Sequence, residues 1–284
     1  MWTDSVDLHS HSFYSDGLQS PKEMARRAHA NGVKVWSLTD HDTSRGWEEA
    51  EEECNNLGLR FVPGVEITCK VEMQSDSLDP KSWHLLSYFP HGATTEFREW
   101  LELLKDARVP RMKNMIQALN EIGCNVTFEE VDKLSAEAIG RPHLARVLVE
   151  KGYVDSVQEA FDKYIGDHCP AYRERPLPTI SEAVQKVKES NGITSLAHAK
   201  YYGIETSELI PRLKELGVDC IEAFHSSHSE SYKFELMMQG LPVTVGGDSH
   251  GTENRPSPGR MVVPINHLHS AFGRNRIPDN CCLK

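Results

Sequence analysis

The strongest constraint on the fold is a rhythm. Short apolar runs, each delivering a histidine or an acid at its end, alternate with amphipathic segments that stop at glycine. Residues 193–197 lead into His198, residues 220–224 into His225, and residues 242–245 into Gly246, Gly247, Asp248, Ser249 and His250. The helix-patterned segments around them end at Gly192, Gly217 and Gly240. The first half reads the same way. Residues 6–9 form a strand, and 21–30 a helix with Ser20 as N-cap and Pro21 at its first position. Residues 33–38 are a strand running into Asp40, His41 and Asp42, and 45–57 a helix. Residues 59–62 and 65–67 make a third strand region with Glu66, and 83–89 a strand holding His84. Parallel strands alternating with helices predict an α/β barrel or a doubly wound sheet. Either architecture gathers functional groups at the carboxyl ends of its strands.

The rhythm breaks once. From about residue 109, helical segments follow one another without strands, at 111–122, 128–134, 141–150 and 157–165, up to a proline-rich stretch at 170–178. The predicted organisation is therefore one strand-bearing unit over 1–107 and 173–284, with an all-helical insertion over 108–172. Residues 71–82 read as a polar excursion. No apolar run approaches the length of a membrane span, and the N-terminus lacks a basic segment followed by an apolar one, so the expected compartment is the cytoplasm. Seven cysteines with no C-x-x-C pair argue against a disulfide framework and a structural zinc site. A net charge of -11 makes stable binding of long nucleic acid unfavourable. Residues 105–175 hold 11 Lys+Arg against 12 Asp+Glu, so nearly all of that charge lies elsewhere, a slight pointer to phosphate contacts in the middle segment.

The chemistry starts at Asp7–Gly17. Residues i and i+2 of a strand point to one face, so His9 and His11 project together, and the following loop returns Asp16 toward them. A polar strand with two surface histidines would give the same local pattern, but similar clusters recur at the other strand ends. His9, His11, Asp16, His41, Glu66, His84, His198, Asp248 and His250 make nine candidate metal ligands. One ion rarely needs more than six, so nine imply two or three divalent ions, with Glu66 as the natural bridge. Mixed imidazole and carboxylate without thiolate suits Mn²⁺ first, and Zn²⁺ or Fe²⁺ as well. Such clusters perform hydrolysis, in which a metal-bridging hydroxide attacks phosphorus. No G-x-S-x-G, P-loop or dinucleotide fingerprint is present. Asp40 and Asp42 are read as groups that orient His41, and Asp42 is counted with the catalytic set on that ground. Arg173 and Arg175, beside the prolines, either touch phosphate or solvate a loop. Tyr172, Tyr201 and Tyr202 either stack on a base or pack in the core and rim.

These motifs together resemble the PHP family, the polymerase and histidinol phosphatase phosphoesterases. The matching pieces are Asp7-Leu8-His9-Ser10-His11 with Ser15-Asp16-Gly17, Thr39-Asp40-His41-Asp42, Gly64-Val65-Glu66, His84, Ala197-His198 and Gly247-Asp248-Ser249-His250. The resemblance implies a distorted (β/α)7 barrel with a trinuclear centre. One ion would take His9, His11, Glu66 and Asp248, a second Glu66, His84 and His198, and a third Asp16, His41 and His250. Gly140–Ala145 and Ala160–Tyr164 resemble the helical insertion of the branch that holds a nucleoside 3′,5′-bisphosphate phosphatase and a 5′→3′ exoribonuclease. There the insertion covers the metals and supplies phosphate-binding arginine, which points to Arg141 first and Lys163 second. The stretch 222–229 also resembles a branch motif, making His225 and His228 candidates for substrate contact or general acid. The expected activity is hydrolysis of the 3′-phosphate of nucleoside 3′,5′-bisphosphates. The alternatives are 5′→3′ cleavage of short 5′-phosphorylated RNA, a histidinol-phosphate-type phosphatase, and a non-catalytic metal-binding regulatory module. The expected partner is a nucleotide or a short RNA end, with no membrane.

Overall fold

The computed structural model describes residues 1–71, 82–252 and 255–272. The polar stretch 72–81 and the pair Cys281 and Cys282 lie outside them. In chain order, β1 (Trp2–Thr3), β2 (Val6–Asp7), α1 (Pro21–Ala30), β3 (Val35–Trp36), α2 (Trp47–Leu57), β4 (Arg60–Phe61), β5 (Gly64–Lys70) and β6 (Ser82–Tyr88) come first. Five helices follow without a strand: α3 (Thr95–Asp106), α4 (Arg108–Glu121), α5 (Phe128–Asp132), α6 (Arg141–Glu150) and α7 (Val157–Ala160), the last continuing as a π-helical stretch, Phe161–Ile165. Alternation resumes with α8 (Ile180–Glu189), β7 (Ile193–Leu196), a 3-10 turn at Ala199–Tyr202, α9 (Thr206–Glu215), β8 (Cys220–His225), α10 (Glu230–Met237), β9 (Val243–Gly246) and β10 (Val263–Pro264).

Local chemistry sets the helix starts. Ser20 with Glu23, Thr127 with Glu130 and Thr179 with Glu182 form capping boxes, each satisfying orphan amide donors at a first turn. The strands β2–β3–β4 form a parallel sheet, and β5–β6–β7–β8–β9 a second, larger one. Backbone hydrogen bonds join the two at both ends. Leu8 N donates to Val245 O (2.9 Å) and His11 N to Ser249 O (2.7 Å), while Asp42 N donates to Glu66 O (3.1 Å). The expectation of uniformly parallel strands is corrected at β6, which runs antiparallel to both β5 and β7. The connection from Lys70 to Ser82 is too short for a crossover helix, and only antiparallel neighbours can do without one.

Three apolar clusters fill the molecule. The largest packs both faces of the five-stranded sheet, with Trp83, Tyr88, Phe89, Leu196 and Val245 fully buried. A second lies between α1, α2 and β3, around Met24, Trp36 and Cys54. The third draws its buried residues only from 112–171, so the helical block has a core of its own. No helix among the described residues is long and apolar enough to cross a membrane.

Candidate metal centre

The strand ends deliver their side chains to one buried point. His9 and His11 follow β2, and Gly246 of β9 passes so close that a Cβ there would lie 2.2 Å from His9 Cβ. Gly17 is equally constrained, since a Cβ would meet His11 O at 2.3 Å. This close turn returns Asp16 to within 3.7 Å of His11 Nδ1. Asp40 organises the loop, taking Ser12 N (2.7 Å), Ser12 Oγ (2.6 Å) and Ser15 Oγ (2.6 Å). Asp42, His198 and Asp248 all hold a left-handed backbone, with φ of 53°, 30° and 54°. Non-glycine residues rarely adopt this conformation, and it concentrates where the surroundings force a functional geometry.

All nine residues read as ligands come together. His9 Nε2 lies 3.1 Å from His11 Nε2, 3.3 Å from Glu66 Oε2 and 3.4 Å from Asp248 Oδ1. His11 Nε2 lies 3.1 Å from the same Glu66 oxygen and 3.3 Å from the same Asp248 oxygen. A tetrahedral ion with bonds of about 2.0–2.2 Å spaces its ligand atoms by roughly 3.3–3.6 Å, so these four atoms sit near the edges of such a polyhedron. The other Glu66 oxygen, Oε1, faces His84 Nδ1 (2.9 Å) and His198 Nε2 (3.0 Å). Asp16 faces His250 Nε2 (3.3 Å) and His41 Nε2 (3.8 Å). The two Glu66 oxygens thus face two different groups of imidazoles, as a bridging carboxylate does.

Hydrogen bonds on the far side of each ring tell which nitrogen is available. His9 Nδ1 donates to Glu222 Oε1 (2.9 Å), and His250 Nδ1 donates to Asp248 O (2.9 Å). Both rings therefore turn Nε2 to the cluster, the carboxylate–histidine arrangement that orients metal ligands. Burial alone would raise the Glu66, Asp16 and Asp248 carboxyls. The surrounding histidines outweigh it and hold all three well below the usual range. Burial brings His41 down to about 3, which leaves its ring neutral with a lone pair to give. Against the opposing pull of burial, the same carboxylates hold His9 well above the usual imidazole range and His11 up to about 10, so the cluster calls for positive charge, which divalent ions would supply in place of those protons.

Above the centre lies a cleft of about 680 Å³, walled on the insertion side by arginines. Arg141 stacks over Phe161 (5.4 Å) and Tyr172 (5.6 Å), and its Nη1 donates to Asp167 Oδ1 (2.6 Å). Arg111 stacks on the same Tyr172 (5.5 Å) and donates Nε to Arg173 O (2.7 Å). Burial and the neighbouring Arg141 and Arg175 pull Arg111 down to about 9, still charged at neutral pH.

The structure places four of the residues read from the sequence away from the cleft wall. Asp42 does not act on His41. Its Oδ2 accepts from Arg108 Nε (3.0 Å), Arg108 Nη2 (2.5 Å) and Arg175 Nη2 (2.6 Å), and its Oδ1 from Thr68 N (2.8 Å). It ties the two stems of the helical block to the loop after β3. Lys163 points away from the cleft and pairs with Glu159 one turn earlier, because the π-helical stretch turns Phe161 inward instead. His228 is buried behind the wall, where Nδ1 donates to Ala223 O (2.9 Å) and Nε2 accepts from Lys200 N (3.4 Å). His225 is also fully buried and off the cleft wall. Ser227 N donates to its Nδ1 (3.1 Å), and its Nε2 lies 3.6 Å from Asp248 Oδ2. Its ring lies against Asp248 and the His9 ring rather than on the cleft wall.

The sequence reading missed Glu222, Arg108, Arg111 and Arg255. Glu222 was within reach of the same strand-end logic, since it lies on β8 three residues before His225. Arg108 and Arg111, three apart at the start of α4, share a helix face but carry no motif. Arg255 pairs with Asp248 from a loop with no pattern at all.

Comparison with known proteins agrees with this geometry. The PHP domain model matches residues 7–203. A 5′-3′ exoribonuclease of Haemophilus influenzae is 29% identical over 87% of this chain and 90% of its own. A 3′,5′-nucleoside bisphosphate phosphatase of Chromobacterium violaceum is 30% identical over 87% of each chain. A solved structure from Bifidobacterium adolescentis, assigned as a metal-dependent phosphoesterase, superposes with a TM-score of 0.80 at 26% identity, covering 96% of both chains. With its histidines and carboxylates converging on one buried point, the chain belongs to the PHP family and is a metal-dependent phosphoester hydrolase.

Proposed function

We propose that this enzyme hydrolyses the 3′-phosphate ester of nucleotides that also carry a 5′-phosphate, with nucleoside 3′,5′-bisphosphates as its substrate class. The observation that carries this reading is the arginine wall. Arg111 is largely desolvated and crowded by other cations, yet among the described residues its guanidinium donates to the Arg173 carbonyl and to no carboxylate, so its charge suits an anion. A guanidinium fork matches the oxygens of a phosphate. Arg111 and Arg141 hold the second phosphate, and binding through that remote group orients the reacting ester over the strand ends.

The nine residues at the strand ends hold two or three divalent ions, Mn²⁺ foremost. When bound, these ions polarise the phosphoryl oxygens and lower the pKa of a water. Glu222 keeps His9 in the tautomer that offers Nε2, and His225 steadies Asp248. The helical block 108–172 serves as the substrate-binding lid, pinned at both stems by Asp42. The hydrogen bonds that join the two sheets at both ends support a distorted (β/α)7 barrel beneath it. The bisphosphate phosphatase relative supports the substrate class.

The test is phosphate release from adenosine 3′,5′-bisphosphate by Mn²⁺-loaded protein, beside histidinol phosphate. The expected result is release from the bisphosphate at a kcat/KM well above that for histidinol phosphate. Equal or reversed preference would sink the reading.

A further inference from the structure

The helical block does more than wall the cleft: it takes hold of the loop that carries Asp16. That loop is one tight turn, in which Ser12 O accepts from Ser15 N (3.1 Å) and from Gly17 N (3.0 Å). Two of its carbonyls are bound by the block. Tyr14 O accepts from Ala138 N (2.9 Å), and Asp16 O accepts from Arg146 Nη2 (2.5 Å). Arg146 is the sixth residue of α6, whose first residue, Arg141, lines the cleft. Its neighbours Ala145 and Val147 are buried in the block's own core, which fixes where the guanidinium can reach. The stems of the block hold a second ligand loop, since Arg108 and Arg175 bond Asp42, the residue after His41. The Asp16 turn reaches the third ligand itself, Leu18 N donating to His250 O (2.9 Å). The other part of the cluster is built differently. Strand ends and Glu222 hold His9, His11, Glu66 and Asp248, and among the described residues no hydrogen bond from the block ends on any of the four.

We propose that Arg146 is a positioning residue of the metal centre: by holding the Asp16 carbonyl it sets the Asp16 carboxylate as a ligand, so that the seating of the helical block decides how tightly the group Asp16, His41 and His250 holds its ion. The inference rests on the ion-holding part of the proposed function and is independent of the substrate. Asp16 comes from a turn, not from a strand, so no sheet neighbour fixes its backbone. Its carboxylate must nevertheless meet His250 Nε2 (3.3 Å) and His41 Nε2 (3.8 Å) together. Asp16 O belongs to the peptide that leads into Gly17, whose approach to His11 O leaves no room for a Cβ. A guanidinium bond to that carbonyl is charge-assisted, stronger than a neutral bond, and holds this peptide in one orientation. Groups that orient a metal ligand from behind are worth about 10–100-fold in metal affinity. Charge alone would act in the opposite sense. A cation near the centre repels a divalent ion, so deleting it would tighten binding, whereas deleting a positioning bond loosens it.

The experiment titrates Mn²⁺ into the EDTA-stripped full chain by calorimetry, for wild type, Arg146→Met, Arg146→Lys, Asp16→Asn and the double variant Arg146→Met with Asp16→Asn. Methionine keeps the packed stem without a donor, and lysine keeps a charged donor. The expected result is that Arg146→Met weakens one class of Mn²⁺ site about ten-fold or more, the class that Asp16→Asn weakens, and leaves the rest unchanged. Arg146→Lys should stay close to wild type. In the double variant the Arg146→Met change should add little, because both act on one site. Should Arg146→Met not fold, Arg146→Leu takes its place with the same expected loss. Unchanged or tighter binding in the variant without a donor overturns the inference, as does an equal weakening of every site or a pair of losses that simply add. A wild type that binds no Mn²⁺ overturns the ion assignment with it. A wild type that binds Mn²⁺ but spares the bisphosphate overturns the substrate reading alone.

Discussion

The floor of the cleft and its insertion-side wall are opposites in charge and in construction. The floor packs acids and imidazoles from strand ends, and its carboxylates are held ionised although buried. The wall packs guanidiniums from a helical block and keeps them charged although largely desolvated. The floor is braced by backbone: neighbouring strands, close-packed glycines and left-handed turns fix each ligand. The wall is braced by side chains, with Asp42 holding Arg108 and Arg175, Asp167 holding Arg141, and Tyr172 lying under both Arg111 and Arg141. A rigid floor suits metal coordination, where tenths of an ångström matter. A side-chain wall suits a phosphate whose oxygens can be met in several ways.

The comparison can be broken at the floor first. Glu66→Gln removes the charge that faces both groups of imidazoles. Bound ions contribute several kcal/mol to phosphoryl transfer, so hydrolysis should fall at least about a thousand-fold. Metal content by elemental analysis should fall with it; full metal content in an inactive variant would show that Glu66 is not the bridge. At the junction of floor and wall, Asp42→Ala leaves two buried guanidiniums facing each other. Loss of one partner of a buried pair costs about 3–5 kcal/mol, so urea unfolding should show a large loss of stability. A change under about 1 kcal/mol would mean that other groups hold the stems. In the wall itself, Arg111→Ala should lower kcat/KM for a 3′,5′-bisphosphate about 10–100-fold more than for a 3′-monophosphate, the worth of a hydrogen bond to a charged group. Equal losses on the two would remove Arg111 from the second-phosphate site. The smallest effect is outside the cleft. Lys163→Ala should leave both activity and stability close to wild type, because the ion pair it makes is with Glu159, one turn earlier, and Lys163 itself is exposed.

Much of the floor was legible in the sequence. His9 and His11 are adjacent on one face by the period of a strand, and Asp16 is close because Gly17 permits a tight return. His84 needed only its place on a strand, although that strand's direction was misread. The wall was legible in one residue, Arg141, and only through likeness to a family. Arg108 and Arg111 lie about thirty residues before it and Arg175 as far after it, and no periodicity links them. Asp42, His225 and His228 each stand in a motif, and a motif does not say which way a side chain turns. A left-handed φ at Asp42 sends its carboxylate to the arginines, and the turn after β8 leaves His228 bound to backbone.

The sequence by itself determined what is local and periodic: the alternation of strands and helices, the interruption by a helical block, and the side chains that strand ends would present. These follow from the two periods of regular backbone and from the turn chemistry that stops each element. Only the tertiary structure decided the partners across long separations. Glu222 meets His9, Asp42 meets Arg108 and Arg175, and Tyr201 and Arg111 line one cleft. Those pairings are between residues with no shared element, and they form only when packing brings distant segments together.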